Sequence, residues 1–451
     1  MNPSVFREYD IRGTYPETIN ENIAYTIGRS YGSYLKEKLN QETCIVSHDN
    51  RLSSPALAAY LIKGITDSGL NVYNYGLTTT PMHYYARYLH NLFGIMVTAS
   101  HNPKDDNGFK FSFDNLANAR GEQIEDFKNY TFAGKFLSGV GKVSSGNISE
   151  KYVEFLRYGL EFGRRKRKVV IDIGNGTTSI IARKVFERVN VEFDMLYEEN
   201  DGHFPNHHPD PNVEENLTAL KQQVLKTKAD CGIAFDGDGD RIGIIDEKGN
   251  YVPVDNFMIL IIRDIISKVK NKTFLYDVKC SKALEDEIKR LGGTPFIYRT
   301  GASYTQAKTK EDNLPFGGEY SGHLFFRDKV ADVGSGIYAG LRLLEILSKT
   351  NKPLSELLSD IPKYYSTPEI KFPAKDETKF DVIDKIKYFC ETQNWPINPI
   401  DGVRVNFKTG WALVRASNTG PNITMRCEAT TPEGLENLKT IFTNIVNTYN
   451  K

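Results

Sequence analysis

Short apolar runs alternate with segments of helical period over most of the chain. The apolar runs predict strands of a sheet that is covered on both faces. In chain order, the predicted strands span residues 44–47, 72–75, 94–99, 169–173, 191–196, 231–235, 274–277 and 295–298. The predicted helices between them span residues 55–66, 81–89, 178–189, 215–226, 256–268 and 281–291. Alternating strands and helices indicate βαβ units, so we expect three similar α/β blocks with mixed or parallel sheets.

The segment that follows Pro362 has a different order of elements. An extended stretch at residues 364–372 precedes a helix, and neighbouring strands then lead to a closing amphipathic helix. The helices are predicted at residues 379–392 and 432–449, and the strands at residues 403–407, 412–416 and 423–429. This order indicates an α+β domain. The predicted domains are residues 1–146, 147–248, 249–362 and 363–451.

Composition and charge narrow the functional classes. The 451 residues are 40% hydrophobic and 25% charged, which is typical of a soluble protein too long for a single core. The 57 Lys and Arg residues balance the 57 Asp and Glu residues, so net charge gives no attraction to nucleic acid or to a membrane surface. The most apolar stretch, at residues 257–266, is too short to span a bilayer.

Cysteine usage and the first residues predict the compartment. The five cysteines are scattered without a CxxC pair, which argues against a disulfide framework and favours a reducing environment. Residues 1–17 are polar and lack the apolar core of a secretory signal. We therefore expect a cytoplasmic protein with neither nucleic-acid nor membrane partners.

Three aspartates follow the predicted strand at residues 231–235. Asp236, Asp238 and Asp240 occupy alternate positions, with glycines between them. Alternate side chains of an extended chain point the same way, so we expect the three carboxylates to converge. Converging carboxylates repel one another unless a hard cation lies between them, and Mg²⁺ is the candidate.

Other interpretations of the aspartate segment stay open. The spacing matches an EF-hand calcium loop, but Arg241 stands where that loop needs glycine, and the flanks are strand-like. An aspartyl-phosphate phosphatase also has a DxD pattern after a buried strand, with Asp236 as the candidate nucleophile. The simplest interpretation is an acidic turn between two strands.

A serine loop follows the predicted strand at residues 94–99. Ser100 lies at the carboxyl end of that strand, where open α/β sheets bind ligands. His101, Asn102 and Lys110 surround its hydroxyl with polar groups. A serine hydrolase is not indicated, because no G-x-S-x-G surrounds Ser100 and because neighbours in an extended chain point apart, which would separate Ser100 from His101. A turn or capping serine is the alternative.

Two later segments carry groups that suit a phosphorylated sugar. GGEYSGH presents Glu319, Ser321 and His323 on a glycine-rich turn, where hydroxyl binding and proton transfer are possible. RASNTGP, at residues 415–421, offers the Arg415 guanidinium, short side-chain donors and backbone N–H groups for a phosphate dianion. A structural histidine and an ordinary polar hairpin are the alternatives.

Together and in this order, the motifs resemble the α-D-phosphohexomutase family, in its phosphomannomutase/phosphoglucomutase branch. They are FREYDIRG at residues 6–13, TASHNP, DGDGDR, GGEYSGH and RASNTGP, and the similarity covers essentially the whole chain. The resemblance implies four domains around a central cleft, three of them similar mixed-sheet α/β domains and the last a mobile α+β domain. It implies a Mg²⁺-dependent enzyme that interconverts hexose 1-phosphate and hexose 6-phosphate, of mannose, glucose or both. The reaction would use a phosphoserine and a hexose 1,6-bisphosphate intermediate, which is also the activator.

The resemblance also implies roles for single residues. Ser100 would be the phosphorylated donor. The metal ligands would be Asp236, Asp238, Asp240 and an oxygen of phosphorylated Ser100. His101, Lys110 and His323 are unranked candidates for proton transfer. The substrate contacts would be Tyr9, Arg12, Arg241, Lys279, Glu319, Ser321, His323, Arg415, Ser417, Asn418 and Thr419. The last four would hold the phosphate that is not transferred.

Three positions depart from that branch. Ala302 stands where a histidine is common, Tyr320 where methionine is common, and Gly420 where glutamate is frequent. Alanine at position 302 lacks the imidazole that would make one of the expected substrate contacts. The alternatives are an aspartyl-phosphate-type sugar phosphatase and a phosphoglucosamine mutase. We expect a monomer or weak homodimer whose partner is a small phosphosugar.

Overall fold

Each of the four predicted blocks contains its own β-sheet. In the computed structural model, which describes residues 1–418 and 420–451, the sheets contain six, five, four and six strands in chain order. The first three sheets mix parallel and antiparallel pairs, whereas the fourth is antiparallel. The expected fold of three α/β units and a C-terminal α+β unit is confirmed. No helix in the described ranges is long and apolar enough to cross a membrane.

The sheet of the first unit contains four parallel strands, β2, β3, β4 and β6, whose carboxyl ends lie at one edge. Its strands are β1 (Ile11–Thr14), β2 (Thr43–His48), β3 (Asn71–Leu77), β4 (Gly94–Val97), β5 (Asp106–Phe111) and β6 (Val143–Ser145). Its helices are α1 (Glu21–Leu39), α2 (Ser54–Asp67), α3 (Thr80–His90) and α4 (Glu122–Ala133). The strand order is β1-β5-β4-β2-β3-β6, with β2 parallel to both β3 and β4. The serine loop leaves the sheet at the carboxyl end of β4.

The second unit places the aspartate segment between two antiparallel strands. Its strands are β7 (Arg167–Asp172), β8 (Val191–Leu196), β9 (Cys231–Phe235), β10 (Ile242–Asp246) and β11 (Tyr251–Val252). Its helices are α5 (Ser149–Arg157), α6 (Ala182–Phe186) and α7 (Thr218–Thr227). The order is β11-β10-β9-β7-β8, and the tight connection from β9 to β10 carries the three aspartates.

One predicted helix of the second unit is wrong in extent. Residues 178–189 form a 3₁₀ turn, Thr177–Ile180, and only the short helix α6. The two are separated at Ile181, whose φ is −136°. β-Branched residues crowd this segment, and their restricted side chains lower helix propensity.

The third unit shares a hydrophobic core with the second. Its strands are β12 (Thr273–Asp277), β13 (Thr294–Tyr298), β14 (Phe316–Gly318) and β15 (Leu324–Phe326). Its helices are α8 (Val254–Ile265), α9 (Lys282–Arg290), α10 (Ala302–Glu311), α11 (Gly336–Ser348) and α12 (Leu354–Leu357). Ile233 of β9, Phe257 of α8 and Leu343 of α11 belong to one continuous core. The two units are therefore joined by buried apolar packing.

The fourth unit has its own core and two helices. Its strands are β16 (Tyr365–Ser366), β17 (Ile370–Pro373), β18 (Ile397–Asn398), β19 (Val403–Phe407), β20 (Gly410–Ala416) and β21 (Asn422–Ala429). Its helices are α13 (Lys379–Thr392) and α14 (Pro432–Tyr449). The stretch predicted as continuous at residues 364–372 is two short strands, which both pair with β21. Pro368 lies in the break, and a proline has no N–H for the ladder.

Candidate active site

A cleft of about 820 Å³ lies where the four units meet. Its lining includes Ser100 from the first unit, Asp240 from the second, Glu319 from the third and Arg415 from the fourth. Each unit therefore contributes one of the predicted motifs to a single space. The expected central cleft is confirmed.

The serine loop holds Ser100 in an unusual backbone conformation. The φ of Ser100 is +53°, in the left-handed region that L-residues seldom adopt. The Thr98 hydroxyl accepts the Ser100 N–H at 2.9 Å, and the buried Ser100 hydroxyl donates to Asp236 Oδ2 at 2.8 Å. The predicted proximity of the serine to the aspartate segment is confirmed.

Arg51 fixes the main chain of the serine loop and was missed in the sequence. This fully buried guanidinium donates to the carbonyls of Ser100 and Asn102, both at 2.7 Å. It also donates to the carbonyls of Pro103 at 2.5 Å and Asp106 at 3.0 Å. Its place shortly after the predicted strand at residues 44–47 marks a strand end, but nothing along the chain shows that Arg51 binds these carbonyls.

The three aspartates converge, although not for the predicted reason. The carboxylate oxygens of Asp236, Asp238 and Asp240 lie within 4.8 Å of one another, and all three residues are buried. The chain here is a turn with Gly239 at φ +81°, rather than an extended strand. Asp236 Oδ1 accepts the N–H groups of Gly239 at 3.1 Å and Arg241 at 3.0 Å, so the turn itself gathers the carboxylates.

Lys110 balances part of the negative charge. Its ammonium lies 2.9 Å from Asp238 Oδ2 and 2.8 Å from Asp240 Oδ2. Burial opposes the charge on Lys110, but the two carboxylates outweigh burial and raise its pKa well above the usual value. Lys110 thus pairs with two of the three carboxylates, and the Arg241 guanidinium lies 3.9 Å from the third, Asp236.

The remaining oxygens of the cluster fit a hard divalent cation. Asp238 Oδ1 and Asp240 Oδ1 are buried and have no hydrogen-bond partner among the described residues. Burial, with repulsion from Asp240 and Asp238, raises the pKa of Asp236 well above the usual range. A bound Mg²⁺ would supply the missing partner and relieve that repulsion.

Two histidines face the reacting region. His101 Nδ1 lies 3.4 Å from the Ser100 hydroxyl oxygen, so the prediction that these neighbours point apart is wrong. The left-handed backbone at Ser100 turns the two side chains together. His323 Nε2 accepts from Arg241 Nε at 3.0 Å, and His323 Nδ1 lies 3.2 Å from the Asp240 carbonyl oxygen.

Both imidazoles are neutral at physiological pH. Burial and the charges of Arg241 and Arg12 lower the pKa of His101 well below the usual value. Burial, assisted by the charge of Arg241, lowers the pKa of His323 to about 3. A neutral imidazole has a lone pair for a hydroxyl proton.

The N-terminal motif borders the serine loop. Arg12 Nε pairs with Asp10 Oδ2 at 2.6 Å, and Arg12 Nη1 donates to Asn102 Oδ1 at 2.8 Å. Tyr9 and Arg12 both line the cleft. Both side chains can therefore reach a substrate in the cleft.

The sugar segment presents a carboxylate inside the cleft. Glu319 Oε1 accepts from Gly301 N at 2.6 Å and Thr305 Oγ1 at 2.9 Å, and Glu319 Oε2 accepts from Ser321 at 3.2 Å. Burial, with repulsion from Asp277, raises the pKa of Glu319 to about 7. Its protonation state therefore changes near neutral pH.

The fourth unit positions the loop that carries Lys279. The buried Arg404 donates to the carbonyls of Val278 at 2.6 Å and Cys280 at 3.2 Å, and Arg426 donates to the carbonyl of Lys279. Lys279 Nζ then lies 3.7 Å from Glu369 and 3.9 Å from Asp277, at the cleft wall.

The predicted phosphate segment is at the carboxyl end of β20. Arg415 Nε donates to Asp401 Oδ2 at 2.9 Å, and the same oxygen accepts the N–H of Thr300 at 3.0 Å. Asn418 Nδ2 is buried and has no hydrogen-bond partner among the described residues. Arg415, Ser417 and Asn418 all line the cleft, whereas the predicted contact Thr419 lies outside the described residues.

The sequence matches four consecutive domain families. They are described as phosphoglucomutase/phosphomannomutase alpha/beta/alpha domain I over residues 3–137, domain II over residues 150–249 and domain III over residues 253–365, with the C-terminal domain over residues 369–445. These matches follow the order of the four units.

Similar proteins span nearly the same length. A phosphomannomutase/phosphoglucomutase of Pseudomonas aeruginosa is 40% identical over 98% of this chain and 95% of its own. A phosphoglucomutase of Neisseria gonorrhoeae is 36% identical over 98% of this chain and 96% of its own. A solved phosphoglucomutase/phosphomannomutase family protein of Burkholderia thailandensis is 34% identical, with a TM-score of 0.91, covering 100% of this chain and 98% of its own. The chain belongs to the phosphoglucomutase/phosphomannomutase family.

Proposed function

We propose that this protein is a phosphohexomutase that interconverts the 1-phosphate and 6-phosphate of glucose, mannose or both, with Ser100 as the phosphoryl carrier. The observation that carries the proposal is the 2.8 Å contact between the Ser100 hydroxyl and Asp236 of the aspartate cluster. The printed names of the relatives support glucose and mannose phosphates as substrates. They do not favour a sugar phosphatase or a phosphoglucosamine mutase.

The cation and the protein's own charges would neutralise the transferred group. Asp236, Asp238 and Asp240 would hold Mg²⁺, with an oxygen of phosphorylated Ser100 as a further ligand. The bound ion would stabilise the charge that develops on the phosphoryl oxygens. Lys110 and the Arg241 guanidinium flank the same position, and Arg12 lies beside the serine loop.

The substrate would be held at its two ends. Glu319 and Ser321 would bind the sugar hydroxyls, with Tyr9, Lys279 and His323 as further contacts. Arg415, Ser417, Asn418 and Thr419 would bind the phosphate that is not transferred, as a guanidinium and short donors suit a dianion. The sugar hydroxyl would then lie beside Ser100, so that positioning supplies much of the catalysis.

Proton transfer would use a neutral base near Ser100. His101, Lys110 and His323 all lie around the hydroxyl and the aspartates. Lys110 is held as a cation by Asp238 and Asp240, and the lone pair of His323 Nε2 already accepts from Arg241, which leaves neutral His101 as the better proton acceptor. The phosphoryl group would pass from Ser100 to the free hydroxyl, and the other phosphate of the 1,6-bisphosphate would return to Ser100.

The remaining expectations form part of the same proposal. A hexose 1,6-bisphosphate would activate the enzyme by phosphorylating Ser100. The protein would act in the cytoplasm as a monomer or weak homodimer, without nucleic-acid or membrane partners. Zero net charge and five buried, unpaired cysteines support this setting.

A coupled assay tests the proposal. With Mg²⁺ and glucose 1,6-bisphosphate, the wild type should convert glucose 1-phosphate, mannose 1-phosphate or both to the 6-phosphates. Ser100→Ala should lose at least about 10³-fold in kcat, because the carrier is absent. Ser30→Ala is the matched control, since Ser30 is buried and bonded to Thr131 at 2.6 Å, away from the cleft. Full activity of Ser100→Ala with net release of phosphate would favour Asp236 as a phosphatase nucleophile.

A further inference from the structure

The ammonium of Lys379 contacts the predicted phosphate segment, and each of its N–H groups has a hydrogen-bond acceptor. Lys379 is the first residue of α13 and is only 4% exposed. Its ammonium donates to the carbonyls of Ser417 at 2.6 Å and Gly420 at 3.0 Å, and to Asp376 Oδ1 at 2.8 Å. An ammonium has three N–H donors, so each has one acceptor.

These contacts set the orientation of the loop's peptide groups. The C=O and the following N–H of a trans peptide point in opposite directions. Since the Ser417 carbonyl points to Lys379, the N–H of Asn418 is turned away from Lys379. Two main-chain carbonyls of the segment are thus tied to one buried cation that does not itself line the cleft.

Asp376 connects Lys379 to the first unit. Its Oδ2 accepts from Arg7 Nη1 at 3.1 Å, while its Oδ1 is bonded to Lys379. The bond from Lys379 and the one from Arg7 lower the pKa of Asp376, so the carboxylate is ionised. Arg7 belongs to the N-terminal motif and lies two positions before Tyr9, a cleft residue.

We propose that Lys379 is a positioning residue for the phosphate segment and that the Arg7–Asp376 ion pair couples this segment to the contact between the first and fourth units. This inference rests on the proposed function, because the proposed function supplies the phosphorylated ligand that the segment binds. Loss of Lys379 would remove a charged donor from both carbonyls, and the Gly420 carbonyl would keep the N–H of Asn422 at 2.9 Å, so the loop would be held less firmly. Loss of Arg7 would leave Lys379 in place but would weaken the approach of the fourth unit to the first.

Direct binding, measured without Mg²⁺ or bisphosphate so that the substrate is not converted, tests the proposal. Titration calorimetry with glucose 1-phosphate would compare the wild type with Lys379→Met, Arg7→Gln and Arg7→Lys. Lys379→Met should weaken the Kd by about tenfold or more, since it removes two charge-assisted hydrogen bonds. Arg7→Gln should weaken it by about threefold to tenfold, and Arg7→Lys should largely restore binding because it keeps the charge.

A surface variant and a turnover readout separate this role from general stability. Arg183→Gln breaks an ion pair of 2.6 Å with Glu198 in the second unit and should leave the Kd unchanged. Arg7→Gln should also raise the amount of hexose 1,6-bisphosphate released to solution per turnover, because the cleft closes less firmly. Arg7 is partly exposed, so this variant should keep the wild-type Tm.

The outcomes distinguish the two proposals. Wild-type Kd values in both Lys379→Met and Arg7→Gln would overturn the positioning role, and so would a wild type that does not bind glucose 1-phosphate. A wild type that binds glucose 1-phosphate without converting it would contradict the proposed mutase activity alone. A drop in Tm for Lys379→Met without a change in Kd would indicate a purely structural lysine and would also overturn the role.

Discussion

The backbone of Ser100 determines how its side chain meets the reacting groups. A left-handed conformation costs an L-residue about 1 kcal/mol. Two hydrogen bonds stabilise it here, because the Thr98 hydroxyl accepts the Ser100 N–H and Arg51 donates to the Ser100 carbonyl. The same conformation brings His101 to the Ser100 hydroxyl, which an extended chain would not do. Local strain is therefore used to place a hydroxyl, a base and a carboxylate together.

The catalytic efficiency should depend on pH through the ionisation of one residue, Glu319. Its pKa of about 7 means that the carboxylate form, which accepts hydrogen bonds from sugar hydroxyls, becomes populated as pH rises through neutrality. Glu319→Gln cannot titrate. The ratio of kcat/KM for wild type to Glu319→Gln should therefore rise about tenfold between pH 6 and pH 8.

Measuring this ratio cancels the ionisation of the substrate phosphate, which both enzymes experience. Glucose 1-phosphate would be assayed at intervals across the range, with ionic strength held constant. A ratio that stays flat, or that falls with rising pH, would contradict the assigned role of Glu319.

The sequence identified side chains that point into the cleft but not those that act through the main chain. Ser100, Asp240 and Glu319 follow strands or lie on glycine-rich turns, where polar side chains indicate a site. Arg51 and Lys379 bind carbonyl groups of distant segments. Such contacts depend on tertiary packing, and a pattern along the chain does not show them.

At the scale of elements, some regular segments were predicted correctly, whereas the helices α1, α4, α10 and α11 were not predicted. The helices Lys379–Thr392 and Pro432–Tyr449 and the strand Val403–Phe407 are confirmed to the residue. Helix α1 was not predicted, because its buried face mixes Ile27, Tyr31 and Leu35 with small residues such as Gly28 and Gly32, which weakens the apolar pattern. The predicted domain limits stay predictions.

The small residues of α1 allow unusually close packing against α2. A methyl group at Gly64 would lie 2.2 Å from the carbonyl oxygen of Tyr25 in α1. Gly64→Ala should therefore destabilise the protein by about 1–3 kcal/mol, even though alanine favours a helix by about 1 kcal/mol over glycine. Thermal or urea unfolding would measure the change.

Ala59→Gly provides the comparison, since Ala59 is exposed on the same helix. This variant should destabilise the protein by about 1 kcal/mol, because glycine has a lower helix propensity than alanine. If Gly64→Ala instead raised the free energy of unfolding, the contact between α1 and α2 would not be as close as the structure shows.

At the scale of the whole molecule, the site exists only because four units meet. The aspartates of the second unit receive Lys110 and Ser100 from the first, and Asp401 of the fourth is bonded to Thr300 of the third. The second and third units share a core, whereas the fourth has its own. The fourth unit, which carries Arg415, is joined to the third by a small buried cluster of Val278, Trp411 and Leu413.

The most direct test of this account follows one phosphoryl group. The protein would be incubated with Mg²⁺ and radiolabelled glucose 1,6-bisphosphate, separated, and then given unlabelled glucose 1-phosphate. The account predicts label on Ser100 that resists neutral hydroxylamine, as a phosphate ester does, and that then passes to the sugar. Label that hydroxylamine removes would indicate an acyl phosphate on an aspartate, and this result, or label retained by Ser100→Ala, would contradict the assignment of Ser100 as the carrier.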